Sequence, residues 1–541
     1  MAAASDPRAE RFVLTVDLGT GGPKVGFVSL LGSVAFEEHY VAETEFGADG
    51  LASQDAETWW RTIIDAAKGA LDAGVIRRDQ VAAVSITGQW ASTVCVDAEG
   101  LPTSPVMMWM DNRGGRLARE AVGGPVSGYA PRAIAEFIRR SGGAPSLDGA
   151  DPIGHRLYLQ RCEPERYRAA RWLMEPVDYL SMRFTGIAAA SPASMVGTWM
   201  LDTRDPKNYR YDDTLLALTG GGREKLPPLQ PFGTVIANVQ PSVAAELGIG
   251  ADVAVVTGAP DVHTAAIGSG AIGLYETHMA VSTTGWISAP VPKKKTDLFN
   301  MVATVPGIDE ENYLIINNHE TSGACFAWLR GILGGTLDFE EMNDLAGESP
   351  AGANGVIFTP WLKGERSPIA DANARAGFAN LGLLNTRSDL IRAVMEGVAI
   401  NDRWLHDAVE KFAGRTLDNI RVIGGGAQSD LWCQIHADVM GRTIEQVADP
   451  LYCGIRGAAL SAAMAMGEVR PDEVRDLVSI KATYRPNALH TAIYDRHYKE
   501  FKGLYKRQKS FFRRMNSAAK SAAKSAAKSA AKSAAKSAAK S

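Results

Sequence analysis

Three short apolar stretches open the chain: FVLTVDLGTGG from Phe12, then KVGFVSL, then SVAFEEHYV. Their length and their Gly, Thr and Ser breaks predict three successive strands over residues 12–44. Residues 278–318 repeat the scheme as HMAVSTTGWISAP, FNMVATVP and NYLIINN. After each triplet the apolar period lengthens to that of a helix. The first is Ala56–Ala73, with Asp55 as cap and Trp59, Ile63, Ala66 and Ala70 on one face; the second is Gly323–Leu333.

Strands and helices then alternate in both halves. VAAVSIT (81–87) and STVCVD (92–97) read as strands in the first. In the second, a long helix Asp389–Phe412 leads into strand NIRVIGGG, a helix from Ser429, strand TIEQVA and a helix Gly454–Met466. A unit of this kind occurring twice predicts two similar α/β domains facing each other across a cleft. The expected division is 10–265 and 266–510, with the boundary among the Gly, Ala and Pro residues of 258–275. A helix Ala492–Phe511, rich in Tyr, Lys and Arg, closes the second half.

Residues 515–541 change character. Ser-Ala-Ala-Lys repeats place Lys520, Lys524, Lys528, Lys532, Lys536 and Lys540 on a segment without an acid. A four-residue period drifts around a 3.6-residue turn, so the lysines form no stripe, and the segment has no apolar face with which to dock. A partly helical, solvated tail is expected, touching anionic polymers such as nucleic acid at most weakly. The formal net charge of −4 therefore hides a more acidic body. Cys95, Cys162, Cys325, Cys433 and Cys453 are scattered and form no CxxC pair, which argues against a disulfide scaffold or zinc site and for a reducing, cytoplasmic setting. No apolar run is long enough to span a bilayer.

Four segments carry candidate chemistry. Asp17-Leu-Gly-Thr-Gly-Gly-Pro-Lys24 is a hairpin whose glycines let backbone amides approach a phosphate. Thr20 adds a hydroxyl, and Asp17 can hold the water shell of a magnesium ion. The same sequence also suits a plain tight turn. Ser282-Thr283-Thr284-Gly285 is its counterpart. Gly424-Gly425-Gly426-Ala427-Gln428-Ser429 joins a strand to a helix and would expose the helix N-terminus to a nucleotide, or serve only as a tight connection. Finally, TGAPDVHTAAIG (257–268) sets Asp261 between the strand DVAVV and a helix, as a cap or as a base at the mouth of a cleft.

Taken in order, DLGTGGPK, VSITGQW, MWMDNRG, GAPDVHTAAIGSGAI, FTPWLKGERSPIADANARAGF, LIRAVMEGVA, GGGAQSDLWCQIHADVMG and GIRGAALSAA resemble the FGGY carbohydrate kinases, nearest to their xylulokinase-like members. The resemblance runs from about residue 12 to about 508. It implies an α/β fold of two ribonuclease-H-like domains of the actin–hexokinase type flanking a nucleotide and substrate cleft. It further implies ATP and Mg2+ as cofactors, Asp261 as the base and Asp17 as the metal anchor. Thr20, Lys24, Thr283, Gly424, Gly425, Gly426, Gln428 and Ser429 would border ATP, and Gln89, Trp90, Asp111 and Asp261 would meet the sugar.

The sugar side departs from the pattern. Gly88-Gln89-Trp90-Ala91-Ser92 stands where xylulokinases read Gly-Gln-Met-His-Gly, and Val262 where an amide side chain is usual. Gly22 stands for a Ser, and Ser282 for a Gly. Asp111, Asn112, Arg113 or His263 would have to replace the missing polar contacts, unless Asp111 and Arg113 form a salt bridge holding their loop. The expected partner is a small sugar or polyol, D-xylulose first, with ribulose, glycerol, erythritol or a non-catalytic regulatory role as alternatives. A homodimer stays open.

Overall fold

In the computed structural model, residues 6–538 are described, with side chains as far as Asn516. The first half holds β1 (Phe12–Gly19), β2 (Gly22–Ser29), β3 (Val34–His39), α1 (Ala56–Asp72), β4 (Val81–Gly88), α2 (Pro176–Thr185), β5 (Val235–Asn238), β6 (Ala254–Val256), β7 (Ala259–Pro260) and α3 (Asp261–Gly268). They build a sheet of order β5-β6-β4-β1-β2-β3, with β7 continuing beside β4. The apolar stretches form the predicted strands because their side chains are buried: Val13, Val16, Val25, Phe27 and Val84 have no exposed surface. Asp55 caps α1 by accepting from the amides of Glu57 and Thr58, and the predicted face of Trp59, Ile63, Ala66 and Ala70 is buried.

The second half holds β8 (Thr277–Val281), β9 (Gly285–Ser288), β10 (Pro290–Val291), β11 (Thr296–Asp297), β12 (Val302–Pro306), β13 (Tyr313–Ile316), α4 (Ala324–Ile332), α5 (Arg387–Ala413), β14 (Asn419–Ile423), α6 (Asp430–Met440), β15 (Thr443–Val447), α7 (Cys453–Ala465), β16 (Ile480–Tyr484) and α8 (Ala488–Ala538). Its sheet runs β9-β8-β14-β15-β16, and a second sheet runs β10-β13-β12-β11. In both halves a strand turns back on itself through a hairpin on one side and pairs in parallel with a later strand on the other. That is the duplicated unit.

The duplication is looser than the sequence suggests. The return strand of the second hairpin is β9, inside HMAVSTTGWISAP, and not FNMVATVP. The latter, as β12, belongs to the second sheet, where it pairs with β13 and β11. Both stretches have the same apolar character, so only the pairing decides their order.

α3 and α7 lie together where the halves meet. Ala265 and Ile267 of α3 share one apolar cluster with Ile455, Ala459 and Leu460 of α7, with Val13, Ala83 and Val256 of the first sheet, and with Ala280 and Ile423 of the second. Their backbones touch. A Cβ on Gly457 would stand 1.8 Å from the Thr264 carbonyl oxygen, and one on Gly268 1.9 Å from that of Cys453.

Helix α8 runs past the expected Phe511, because Tyr494, Phe501, Tyr505 and Phe512 form a stripe buried in the core of the second half, Phe501 and Tyr505 edge-on to Trp361. The Ser-Ala-Ala-Lys lysines from Lys520 to Lys536 lie beyond the described side chains, and Lys540 lies outside the described residues. Among the described residues no helix is long and apolar enough to cross a membrane.

Candidate active site in the interdomain cleft

Strand register brings Asp17, Gln89 and Asp261 together. Along the parallel strands Asp17 faces Thr87, Leu18 faces Gly88, and Gly88 in turn faces Pro260. Gln89 and Asp261 are the next residues after these strand ends, and the Gln89 amide donates to the Leu18 carbonyl at 2.8 Å. All three acquire their place at the carboxyl edge of a parallel sheet, where α/β proteins open their ligand crevices.

Asp261 is not the cap. Pro260 holds the cap position, and Asp261 is the first helical residue, with no side-chain capping bond. It is exposed to solvent, and the neighbouring protein still limits hydration of its carboxylate. This limited hydration, reinforced by the charge of Asp17 and partly offset by the Val262 amide, pushes its pKa up to about 7. Burial also raises Asp17, with Lys24 and His39 opposing.

Asp17 is shared between the halves. A Cβ on Gly454, at the start of α7, would stand 2.6 Å from Asp17 Oδ2, so only glycine lets this helix N-terminus approach the carboxylate. Gly454 was invisible as a site residue in the sequence, though it belongs to the GIRGAALSAA stretch. Lys24 is the cross-strand partner of Asp17. Its ammonium donates to the Leu451 carbonyl at 3.2 Å and lies over the Tyr452 ring. The Thr20 hydroxyl accepts from Trp109 Nε1 at 3.0 Å. Trp109, 40% exposed, thus brings MWMDNRG against the first hairpin, a contact between residues 89 positions apart that no local pattern shows.

The second hairpin and the glycine run touch each other. A Cβ on Gly424, whose φ is +87°, would meet Ser282 Oγ at 2.3 Å, and one on Gly426 would meet Val281 Cγ1 at 2.4 Å. Gly425 borders open space, and Thr283, Gly425 and Gln428 are exposed. Ser429 has its hydroxyl engaged: it accepts from the Trp432 amide as cap of α6 and bonds Asn343.

The hairpin is braced from behind. His319 exchanges backbone hydrogen bonds with Gly285, and its imidazole lies between two buried carboxylates, 3.0 Å from Glu365 and 3.3 Å from Asp402. His436 joins Asp402 at 3.0 Å, and Asn401 donates to Glu365 at 2.6 Å. Burial alone would lower the His319 pKa, but Glu365 and Asp402 outweigh it and push it to about 10 from 6.5. The stability this adds is fully present below about pH 6.5 and is lost as pH rises towards 10. In His319→Gln both carboxylates lose their cation, a change expected to cost about 3 kcal/mol at pH 7. Thermal unfolding from pH 6.5 to 10 should show the gap between wild type and variant narrowing with pH.

On the sugar side, Asp111 is corrected. It has no exposed surface and pairs with Arg113 at 2.8 Å while accepting from the Ala52 amide at 3.2 Å, so it anchors its loop rather than facing the cleft. Arg113 also reaches Glu163 at 3.6 Å and covers the Tyr158 ring. His263 is buried, its Nε2–H donating to the Pro306 carbonyl at 2.9 Å, with its pKa lowered to about 4 by burial. Trp90 is half-buried, its indole N–H donating to the Ser194 carbonyl at 2.6 Å. Gln89 Nε2 is buried without a partner.

Two family descriptions match this architecture. Residues 12–268 match the FGGY family of carbohydrate kinases, N-terminal domain, and residues 278–466 match its C-terminal domain. The chain belongs to the FGGY family of carbohydrate kinases. Over 503 residues it is 28% identical to xylulose kinase from Staphylococcus epidermidis, covering 92% of this chain and 97% of that one. Ligand-bound xylulose kinase from Lactobacillus acidophilus superposes with a TM-score of 0.83 at 23% identity, over 94% of this chain and all of that one. Gluconate kinase from the same organism gives 0.80 at 24% identity, over 94% and 100%. The structural matches establish the actin–hexokinase-type fold. Membership of the family makes this an ATP-dependent sugar kinase.

Proposed function

We propose that the enzyme transfers the γ-phosphoryl group of ATP to D-xylulose, forming the 5-phosphate, with Asp261 as general base. The observation that carries this reading is Asp261 itself: solvent-reached, free of any capping bond, and raised towards neutrality where Asp17 and α7 meet it. A carboxylate so poised accepts a proton from a sugar hydroxyl as that oxygen attacks the terminal phosphorus in line. The amides of the two hairpins and of Gly425 stabilise the phosphate charge, and closure about α3 and α7 excludes water.

The charge of Asp17 raises the pKa of Asp261, and Lys24, whose ammonium also bonds the Leu451 carbonyl, offsets Asp17 only in part, a balance that fits a divalent cation carried in with the nucleotide. Among the described residues no cluster of three or more His, Cys, Asp or Glu side chains would hold a metal alone. When bound, Mg2+ neutralises phosphate charge, and Asp17 would hold its water shell. The free cysteines support a reducing, cytoplasmic setting.

Proton acceptance by Asp261 fixes a pH dependence. The base works only when ionised, so kcat/KM for the sugar should fall with unit slope below about pH 7. Asp17→Asn removes the neighbouring negative charge and should move that limb to lower pH, besides weakening turnover. A limb that stays in place would detach the pH profile from Asp261.

Trp90, Ala91 and Val262 favour a second reading, a kinase of another ketose, polyol or sugar acid such as ribulose, glycerol, erythritol or gluconate. ADP release across such a panel separates the two: highest kcat/KM on D-xylulose supports the first, and any other order supports the second. A non-catalytic regulator would release no ADP with any of them.

A further inference from the structure

Beneath the Gln89–Ser92 loop lie two acids with no place in the chemistry above. Glu175, at the start of α2, is 1% exposed, and neither of its oxygens has a hydrogen-bond partner in good geometry. The Ala91 and Ser92 amides nevertheless face its carboxyl group and favour its charged form against burial and the charge of Asp178. Ala91 holds a left-handed φ of 64°, which a non-glycine residue keeps only when its surroundings fix it.

One turn along α2, Asp178 is equally buried and accepts from Ser194 Oγ at 2.7 Å. The carbonyl of the same Ser194 receives the Trp90 indole N–H. Trp90 packs against Gly197, where a Cβ would stand 2.4 Å from Nε1. Ser191, whose hydroxyl accepts from the Ser194 amide, donates to the Gly258 carbonyl at 2.7 Å, in the turn that presents Asp261. A void of about 10 Å³ between Ser92, Arg156 and Glu175 has room for one water. Two nitrogens of Arg156, one of the lining residues, are buried without partners.

We propose that Glu175 and Asp178 are positioning residues for sugar selection. They set the turn at Ala91 and the plane of the Trp90 indole, and thereby which pattern of hydroxyls the loop accepts. The inference rests on the kinase reading and deepens it. Burial favours the neutral form of both acids, raising the pKa of Glu175 and pushing that of Asp178 up to about 8. A side-chain amide can therefore replace either, and an alanine cannot.

The test compares Glu175→Gln, Glu175→Ala and Ser194→Ala, each first checked for wild-type unfolding temperature. Glu175→Ala and Ser194→Ala should raise the KM for sugar about tenfold, with the KM for ATP unchanged, and should alter the ranking across a sugar panel. Glu175→Gln should stay within about twofold of wild type. Should Glu175→Ala fail to fold, Ser194→Ala carries the test, since it removes only a hydroxyl. Folded variants with wild-type sugar KM and ranking, or with the two KM values rising together, overturn the inference and leave the kinase reading standing. A wild type that phosphorylates no sugar overturns the kinase reading. Calorimetric titration with D-xylulose then decides the inference, which falls if the variants bind as wild type does or if wild type binds nothing.

Discussion

Asp261→Asn should lower kcat by about 10³-fold while leaving the KM values for ATP and sugar within about twofold. The amide matches the carboxylate in shape, so the cleft keeps its form, but it accepts no proton from the attacking hydroxyl. The variant should not unfold more easily. Asp261 is held above its ordinary pKa by limited hydration and by Asp17, so its ionised form opposes folding above that ordinary value. Replacing it with a neutral amide should leave the unfolding temperature at pH 8 equal to or higher than that of wild type. Loss of turnover without loss of stability separates a base from a structural acid. Full turnover in Asp261→Asn would show that the proton leaves by another route.

Gly457→Val is expected to have the largest effect on the fold. α3 and α7 meet through backbone, with only 1.8 Å between a Cβ at position 457 and the Thr264 carbonyl oxygen, and 2.9 Å to the Gly268 amide nitrogen. Neither neighbour is a side chain that can swing away, so the helices must separate. The cost should reach about 3 kcal/mol. Asp261 begins α3 and Gly454 lies near the start of α7 against Asp17, so turnover should fall even where the protein stays folded. Gly69 is the control: it lies on the exposed face of α1 with nothing within 4 Å of a Cβ. Gly69→Ala should be neutral or stabilising by about 0.5–1 kcal/mol. Urea unfolding of both variants gives the comparison, and equal midpoints would mean that the helix contact is not tight.

What the sequence makes legible follows from local physics. The β1–β2 hairpin, the buried face of α1 and its Asp55 cap depend on residues a few positions apart, and these are found as expected. Asp261 was ambiguous for the same reason. An acid before a helix reads as a cap, and only the position of Pro260 shows that the cap lies one residue earlier. The rest depends on pairs far apart in the chain. His319 and Glu365 are separated by 46 residues, and His319 and Asn401 by 82. Their network explains physically why PWLKGERSP carries a buried acid. Asp111 is a local case in which the sequence offers both a substrate ligand and a partner for Arg113, and its complete burial decides for the second. Gly454 gains its meaning only from Asp17, in the other half.

The central claim is that this cleft moves a phosphoryl group from ATP to a sugar hydroxyl. It is tested most directly by incubating the wild-type enzyme with ATP, Mg2+ and D-xylulose and following products by phosphorus NMR. One sugar monophosphate should appear for each ADP, none without sugar. ADP formed together with inorganic phosphate, or no reaction with any ketose or polyol offered, would contradict the account.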